Sequence, residues 1–274
     1  MGASQLPYAL GQDDAEHQRL IVQSRFYGDL TDALFRDAGI VPGMRVLDVG
    51  CGVGDVSLGV ARLVGPLGAV VGIDRDAEPL AVARARAAAA KLPQVRFERG
   101  HVADFRADRP FDAVVGRLIL VYLPDLTRTL ASLARAVRPG GVVVFQEMVM
   151  SLAQSVPKLP LPTAGFDWIC ETLHRAGLDI DLGLNLHRVF VDAGLPPPRL
   201  HLAGRLEGTA DSAGFDLVAG VARSLLPAME RHGVATAAEV GIDTLAARMR
   251  EEVVAAGGVL MPPPMVGAWT RLPD

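Results

Sequence analysis

Between residues 44 and 148 short apolar runs alternate with longer stretches whose apolar positions recur at helical spacing. That alternation predicts strands joined by crossover helices, and therefore a parallel sheet. Residues 45–49, 70–74, 95–98, 111–115 and 142–145 read as strands, and residues 55–64 as the first crossover helix, closed by the turn residues Gly65-Pro66-Leu67-Gly68. Residues 77–91 form an alanine-rich helical stretch with Glu78 in its first turn and Arg84, Arg86 and Lys91 later, which suits both helix propensity and the macrodipole. Asp125 is placed to cap a helix with an apolar stripe of Leu126, Leu130, Leu133 and Val137, ended by Pro139-Gly140-Gly141.

After residue 150 the pattern changes. Pro157, Pro160 and Pro162 among leucines predict an extended, apolar, lid-like loop over 151–165, leading into a helix near 166–176. A helix over 183–193 is stopped by Gly194 and Pro196-Pro197-Pro198, a strand follows over 200–206, and helices occupy about 213–231 and 242–257. The last strand, 259–269, contains Pro262-Pro263-Pro264 and so is expected to be irregular or at a sheet edge. The organisation expected is a cofactor-binding core over 1–150, with N-terminal helices, and lid or substrate-binding insertions plus the last two strands of the same sheet over 151–274.

Composition narrows the class. A chain of 274 residues, half of them hydrophobic, can bury one large core. The net charge is −4 and the basic residues are dispersed, which argues against nucleic acid or a membrane surface as partner. Cys51 and Cys170 form neither a disulfide framework nor a metal-ligand spacing, and suit a reducing cytoplasm. Asp13, Asp14 and Glu16 stand where a secretory leader would be apolar, and Gln146 and Glu147 interrupt the apolar stretch 142–153, so no targeting or spanning segment is expected.

The most informative chemistry lies in Val46-Leu47-Asp48-Val49-Gly50-Cys51-Gly52-Val53-Gly54-Asp55, an apolar strand running into alternate glycines and a helix start. Glycine tolerates positive φ, so such a turn can present backbone N–H groups to a ligand, although Gly-rich turns also occur for steric reasons alone. A dinucleotide fingerprint would need glycine where Asp55 stands. Asp74 ends the second strand, twenty-two residues after Gly52, where a carboxylate can accept both hydroxyls of a ribose or simply cap the helix beginning near Asp76.

This ordering resembles the class I S-adenosylmethionine-dependent methyltransferases. The likeness rests on the glycine turn, on Asp74, on Phe97-Glu98-Arg99-Gly100-His101-Val102 after the third strand, on Phe111-Asp112-Ala113-Val114-Val115-Gly116-Arg117, and on Arg138-Pro139-Gly140-Gly141. It implies a Rossmann-like α/β fold of seven strands, the last antiparallel, with helical lid insertions. It also implies S-adenosyl-L-methionine as cofactor. Gly50, Cys51 and Gly52 of the glycine loop would hold the methionine part, Asp74 the ribose, and His101 and Val102 the adenine, with Asp55 and Arg75 also among the donor-binding residues. His101 replaces the acid common at that place, which leaves Val102 N–H as the safer contact. Tyr8 would close over the donor, and Arg117 would bind a carboxylate or enter a structural ion pair.

Ligands of open α/β sheets bind beyond the carboxyl ends of the strands, so catalytic candidates belong there or in the lid. Tyr122, Glu147, His174 and His187 meet that criterion. Tyr122 could orient or deprotonate an acceptor or merely pack, Glu147 could act as a base if burial raised its pKa, and the two histidines fall on predicted helices where solvent-facing positions are common. Leu159, Leu161, Phe166, Trp168 and Ile169 fit either a small, partly hydrophobic acceptor or plain core packing. Neither an Asn/Asp-Pro-Pro-Tyr motif nor a Pro-Cys pair follows the fourth strand, which disfavours nucleobase methylation. The expectation is methyl transfer to an O, N or C atom of a small metabolite, possible in specialised metabolism. The alternatives are a nicotinamide-dependent oxidoreductase and a cofactor-binding protein without methylation activity.

Overall fold

The computed structural model describes residues 14–274. A helix α1 (Asp14–Asp37) precedes the alternating unit β1 (Arg45–Val49), α2 (Asp55–Val64), β2 (Ala69–Asp74), α3 (Ala77–Ala89), β3 (Val95–Arg99), β4 (Phe111–Arg117), α4 (Leu126–Ala134) and β5 (Val137–Met148). There follow β6 (Gln154–Val156), α5 (Pro160–Arg175), α6 (Leu182–Asp192), β7 (Arg199–Ala203), α7 (Gly214–Arg231), α8 (Ala237–Val240), α9 (Leu245–Ala255), β8 (Val259–Met261) and β9 (Met265–Arg271). The main sheet runs β3-β2-β1-β4-β5-β9-β7. Its first five strands are parallel, and β9 is antiparallel to both β5 and β7.

The order reverses beside β1, which pairs with β2 on one side and β4 on the other. Such a switch point opens a crevice at the carboxyl ends of the strands. Both faces are covered at the central strands β1, β2, β4 and β5, whereas the edge strand β7 is exposed. Leu47, Val49, Val71, Ile73, Val114 and Phe145 pack with α4 and α6 on one side, while Val46, Val70, Val115 and Val144 pack with α1 and α2 on the other. This two-sided burial explains why the parallel strands read as nearly continuous apolar runs. A separate cluster, with Phe166 and Ile169 of α5, Val218 and Leu225 of α7, Met249 of α9 and Leu260 of β8, lies apart from the sheet cores and includes Met150 just beyond β5.

Three details depart from the sequence reading. The stretch expected as an extended loop already forms β6 and the first turns of α5, because Pro160 and Pro162 sit where a helix has no N–H partner to lose. Asp125 does cap α4, accepting the Arg128 N–H at 3.0 Å, but α4 ends at Ala134, and Val137 belongs to β5. Pro139-Gly140-Gly141 then forms an irregularity inside that strand, where pairing jumps from Phe111–Val137 to Ala113–Val142. The stretch expected as one last strand is broken in two, and only its second part is regular and inside the main sheet. Pro262 to Pro264 fall between β8, which pairs with β6, and β9, which lies inside the sheet, so no proline interrupts the β9 ladder.

Candidate active site

One cavity of about 270 Å³ extends from the crevice above β1 and β2 to the helices α5 and α7. Its floor is the loop after β1. Gly50, Gly52 and Gly54 all have positive φ, and the loop is tied to the neighbouring strand by Cys51 N–H donating to Ile73 O at 3.0 Å. A Cβ at Gly52 would meet no atom within 4 Å, so this glycine leaves open space on the ligand side. Asp55 begins α2, faces the cavity and is ion-paired with Arg86. The Cys51 thiol is pushed up by burial and remains neutral.

Asp74 closes the opposite wall. Its carboxylate accepts N–H groups from Gly52 at 2.9 Å and Asp76 at 3.0 Å, so it braces the glycine loop and partly caps α3 at once. Burial holds its pKa above the usual carboxylate value against those two hydrogen bonds. Arg75, His101 and Val102 also line the cavity; His101 is exposed, whereas Val102 is buried at the start of a short 3-10 turn. Asp48 is buried below the loop and accepts the Ser57 hydroxyl at 2.5 Å, and burial pushes its carboxyl up to about 7.

Arg117, at the end of β4, also lines the cavity. It donates to Thr31 Oγ1 at 3.1 Å, and its burial lowers its pKa against the attraction of Asp55, Asp48 and Asp32. No carboxylate of the described residues forms an ion pair with it. A guanidinium in that position suits a ligand carboxylate, and the open side of Gly52 with Asp74 suits an adenosyl group carrying an amino acid. The residues present therefore fit S-adenosyl-L-methionine: Gly50 to Gly52 and Arg117 would hold the methionine part and Asp74 the ribose.

Tyr122 and Glu147 line the same cavity beyond the donor loop. Burial pushes the Tyr122 phenol well above its ordinary value, so it stays protonated near neutrality. Glu147 is 1% exposed; one of its oxygens accepts N–H groups from Ile119 at 3.0 Å and Leu120 at 2.8 Å, and burial pushes its carboxyl up to about 8. His174 and His187 are exposed on α5 and α6 and do not line the cavity. On α5 the inward stripe is Phe166, Ile169 and Leu173, and His174 falls a helical step outside it. Tyr8 lies outside the described residues.

Sequence reasoning missed the contribution of α1. Glu16, Arg19 and Gln23 line the cavity as a buried cluster, Arg19 donating to both Glu16 oxygens at 2.6 and 2.7 Å and to Gln23 at 2.7 Å. The available signal was three polar residues at 16, 19 and 23, one face of a helix, adjoining the apolar Leu20. It also missed Leu217, Val218 and Val221 of α7, which complete the apolar end with Met150 and Ile180. Among the described residues no group of His, Cys, Asp and Glu could hold a metal ion, and no helix is long and apolar enough to cross a membrane.

A glycine loop and an acid at the switch point of this sheet order, closed by an antiparallel final strand, define the class I methyltransferase fold. A family model described as a methyltransferase domain matches residues 40–176, half of the chain. The chain belongs to that family, the class I S-adenosylmethionine-dependent methyltransferases. A demethylmenaquinone methyltransferase of Shouchella clausii is 31% identical over 177 residues, covering 56% of this chain and 71% of that protein. One from Bacillus cytotoxicus is 36% identical over 109 residues, which is 39% of this chain and 46% of the relative, so the match to it spans about half of its length. A SAM-dependent methyltransferase from Aquifex aeolicus superposes with a TM-score of 0.51 at 19% identity, covering 72% of this chain and 94% of that one, a likeness of fold.

Proposed function

We propose that this protein transfers the methyl group of S-adenosyl-L-methionine to an O, N or C atom of a small, largely apolar metabolite. The observation that carries this reading is the continuity of one cavity from Gly52, Asp74 and Arg117 to the apolar side chains of Phe166, Ile169, Leu173, Leu217 and Val218. The donor supplies an activated methyl sulfonium when bound. The protein's task is then to align the acceptor with it and keep water away, and positioning of that kind lowers a barrier by roughly 7–11 kcal/mol. Tyr122, half-buried and kept protonated by its raised pKa, would orient an acceptor by donating a hydrogen bond rather than by removing a proton. The buried Arg19 cluster gives the otherwise apolar chamber a polar wall for a heteroatom.

Calorimetric titration with S-adenosylhomocysteine and NADH, followed by transfer of a labelled methyl group to a panel of apolar acceptors that includes demethylmenaquinone, tests the reading. Binding of the homocysteine compound and label in an acceptor are expected. Tight NADH binding without response to S-adenosylhomocysteine would replace it by oxidoreductase chemistry. Donor binding without transfer across the panel would favour a cofactor-binding protein that does not methylate.

A further inference from the structure

Two glycines leave room for Ile119. A Cβ built on Gly50 would lie 2.3 Å from Ile119 Cδ1, and one built on Gly116 would lie 2.9 Å from its Cγ2. The isoleucine therefore fills space at the root of the glycine loop and packs directly against it, so a shift of Ile119 would reach the loop. The chain reaches this position through Leu118, whose φ of 56° is left-handed, a conformation that side chains other than glycine adopt rarely. Nothing local favours such a turn, so it must be held from outside. Leu118 N–H donates to Gln146 O at 2.9 Å, and the next two N–H groups converge on a single oxygen of Glu147.

We propose that Glu147 is a positioning residue: by accepting the Ile119 and Leu120 amides it locks the turn after β4 and seats Ile119 against the loop that receives the methyl donor. The proposal rests on the donor reading above for its functional consequence, and on these contacts alone for the lock. It assigns Glu147 a task different from that of a general base. A base must offer a carboxylate to the acceptor, whereas the lock needs only an oxygen that accepts two N–H groups. An amide oxygen can do the second and not the first.

The test compares Glu147→Gln with Glu147→Leu in the full chain, reading amide hydrogen exchange over residues 118–122 and affinity for S-adenosylhomocysteine. In the leucine variant the Ile119 and Leu120 amides should exchange about tenfold faster or more, and product binding should weaken about fivefold or more. The glutamine variant should restore both. Ile119→Ala should weaken product binding similarly, and combining it with Glu147→Leu should add little further, because both changes break one chain of contacts. A glutamine variant as defective as the leucine variant would overturn the proposal, as would unchanged exchange in the leucine variant or fully additive losses in the double variant. If the unmodified chain bound no S-adenosylhomocysteine, the donor reading would fall, and the exchange comparison would still decide whether the lock exists.

Discussion

The carboxylate of Asp74 accepts the amide N–H of Gly52 at 2.9 Å, so the acid at the end of β2 shapes the glycine loop as well as facing the cavity. Its removal should act twice, by deleting the proposed ribose contact and by leaving the loop amide without its partner. Asp74→Ala is expected to weaken S-adenosylhomocysteine binding by about 1.5–3 kcal/mol, the range for hydrogen bonds to a charged group. Calorimetry checks this, and unaltered affinity in a folded variant would remove Asp74 from the site.

Gly50 and Gly52 should respond differently to the same added bulk. At Gly50 a Cβ collides with Ile119, whereas at Gly52 it enters open space. Both residues have left-handed φ, so each substitution carries a strain of roughly 1–2 kcal/mol. Gly50→Val should therefore lower thermal stability far more than Gly52→Val, while Gly52→Val should abolish donor binding in a chain that still folds. Normal product binding by Gly52→Val would count against the loop as the donor cradle.

The parallel core was legible because two-sided burial turns each strand into an apolar run, and the glycines and acid are tied to strand ends by backbone geometry that spacing can encode. Arg117 was legible as a cavity residue for the same reason, since it ends β4. What escaped was tertiary. Nothing near residue 147 in the chain reveals that Glu147 faces the amides of Ile119 and Leu120, because that contact arises from adjacent strand ends. The prolines of 157 to 164 misled because proline is compatible with the first helical turn as well as with a loop. Those of 262 to 264 misled because they punctuate two strands rather than interrupt one.

The proposed contact of Arg117 with the donor can be tested on one part of that molecule. A guanidinium with only Thr31 as hydrogen-bond partner among the described residues is suited to the methionine carboxylate, which 5′-methylthioadenosine lacks. Arg117→Met should weaken S-adenosylhomocysteine by about 1.5–3 kcal/mol while leaving methylthioadenosine nearly unaffected. Its fold should tolerate the change, because Arg117 is half-buried and in no ion pair among the described residues, and an unbranched apolar side chain keeps the packing of its stem. Equal weakening of both ligands would move Arg117 away from the carboxylate.

Glu147 also predicts how stability varies with pH. Burial raises its carboxyl from the ordinary 4.5 to about 8, opposed by the amides of Leu120 and Ile119 and assisted by the negative charge of Asp179; Tyr122 is the other titratable group that senses it. Below pH 4.5 the group is protonated in both folded and unfolded chains. As pH rises from there to about 8, the unfolded chain releases a proton that the native state keeps, so native stability falls across this window and levels off above it. A glutamine at this position accepts the same amides and does not titrate. The melting temperature of Glu147→Gln relative to the unmodified protein should thus rise steadily between pH 4.5 and 8, the gap reaching at least about 2 °C, the shift that roughly 1 kcal/mol gives in a domain of this size. Titrations of groups that do not interact with Glu147 cancel in the comparison, and Tyr122 stays protonated throughout the window. A gap that stays constant over the window would mean that Glu147 ionises at an ordinary pH, and one that narrows would mean that its charge is stabilised in the native state.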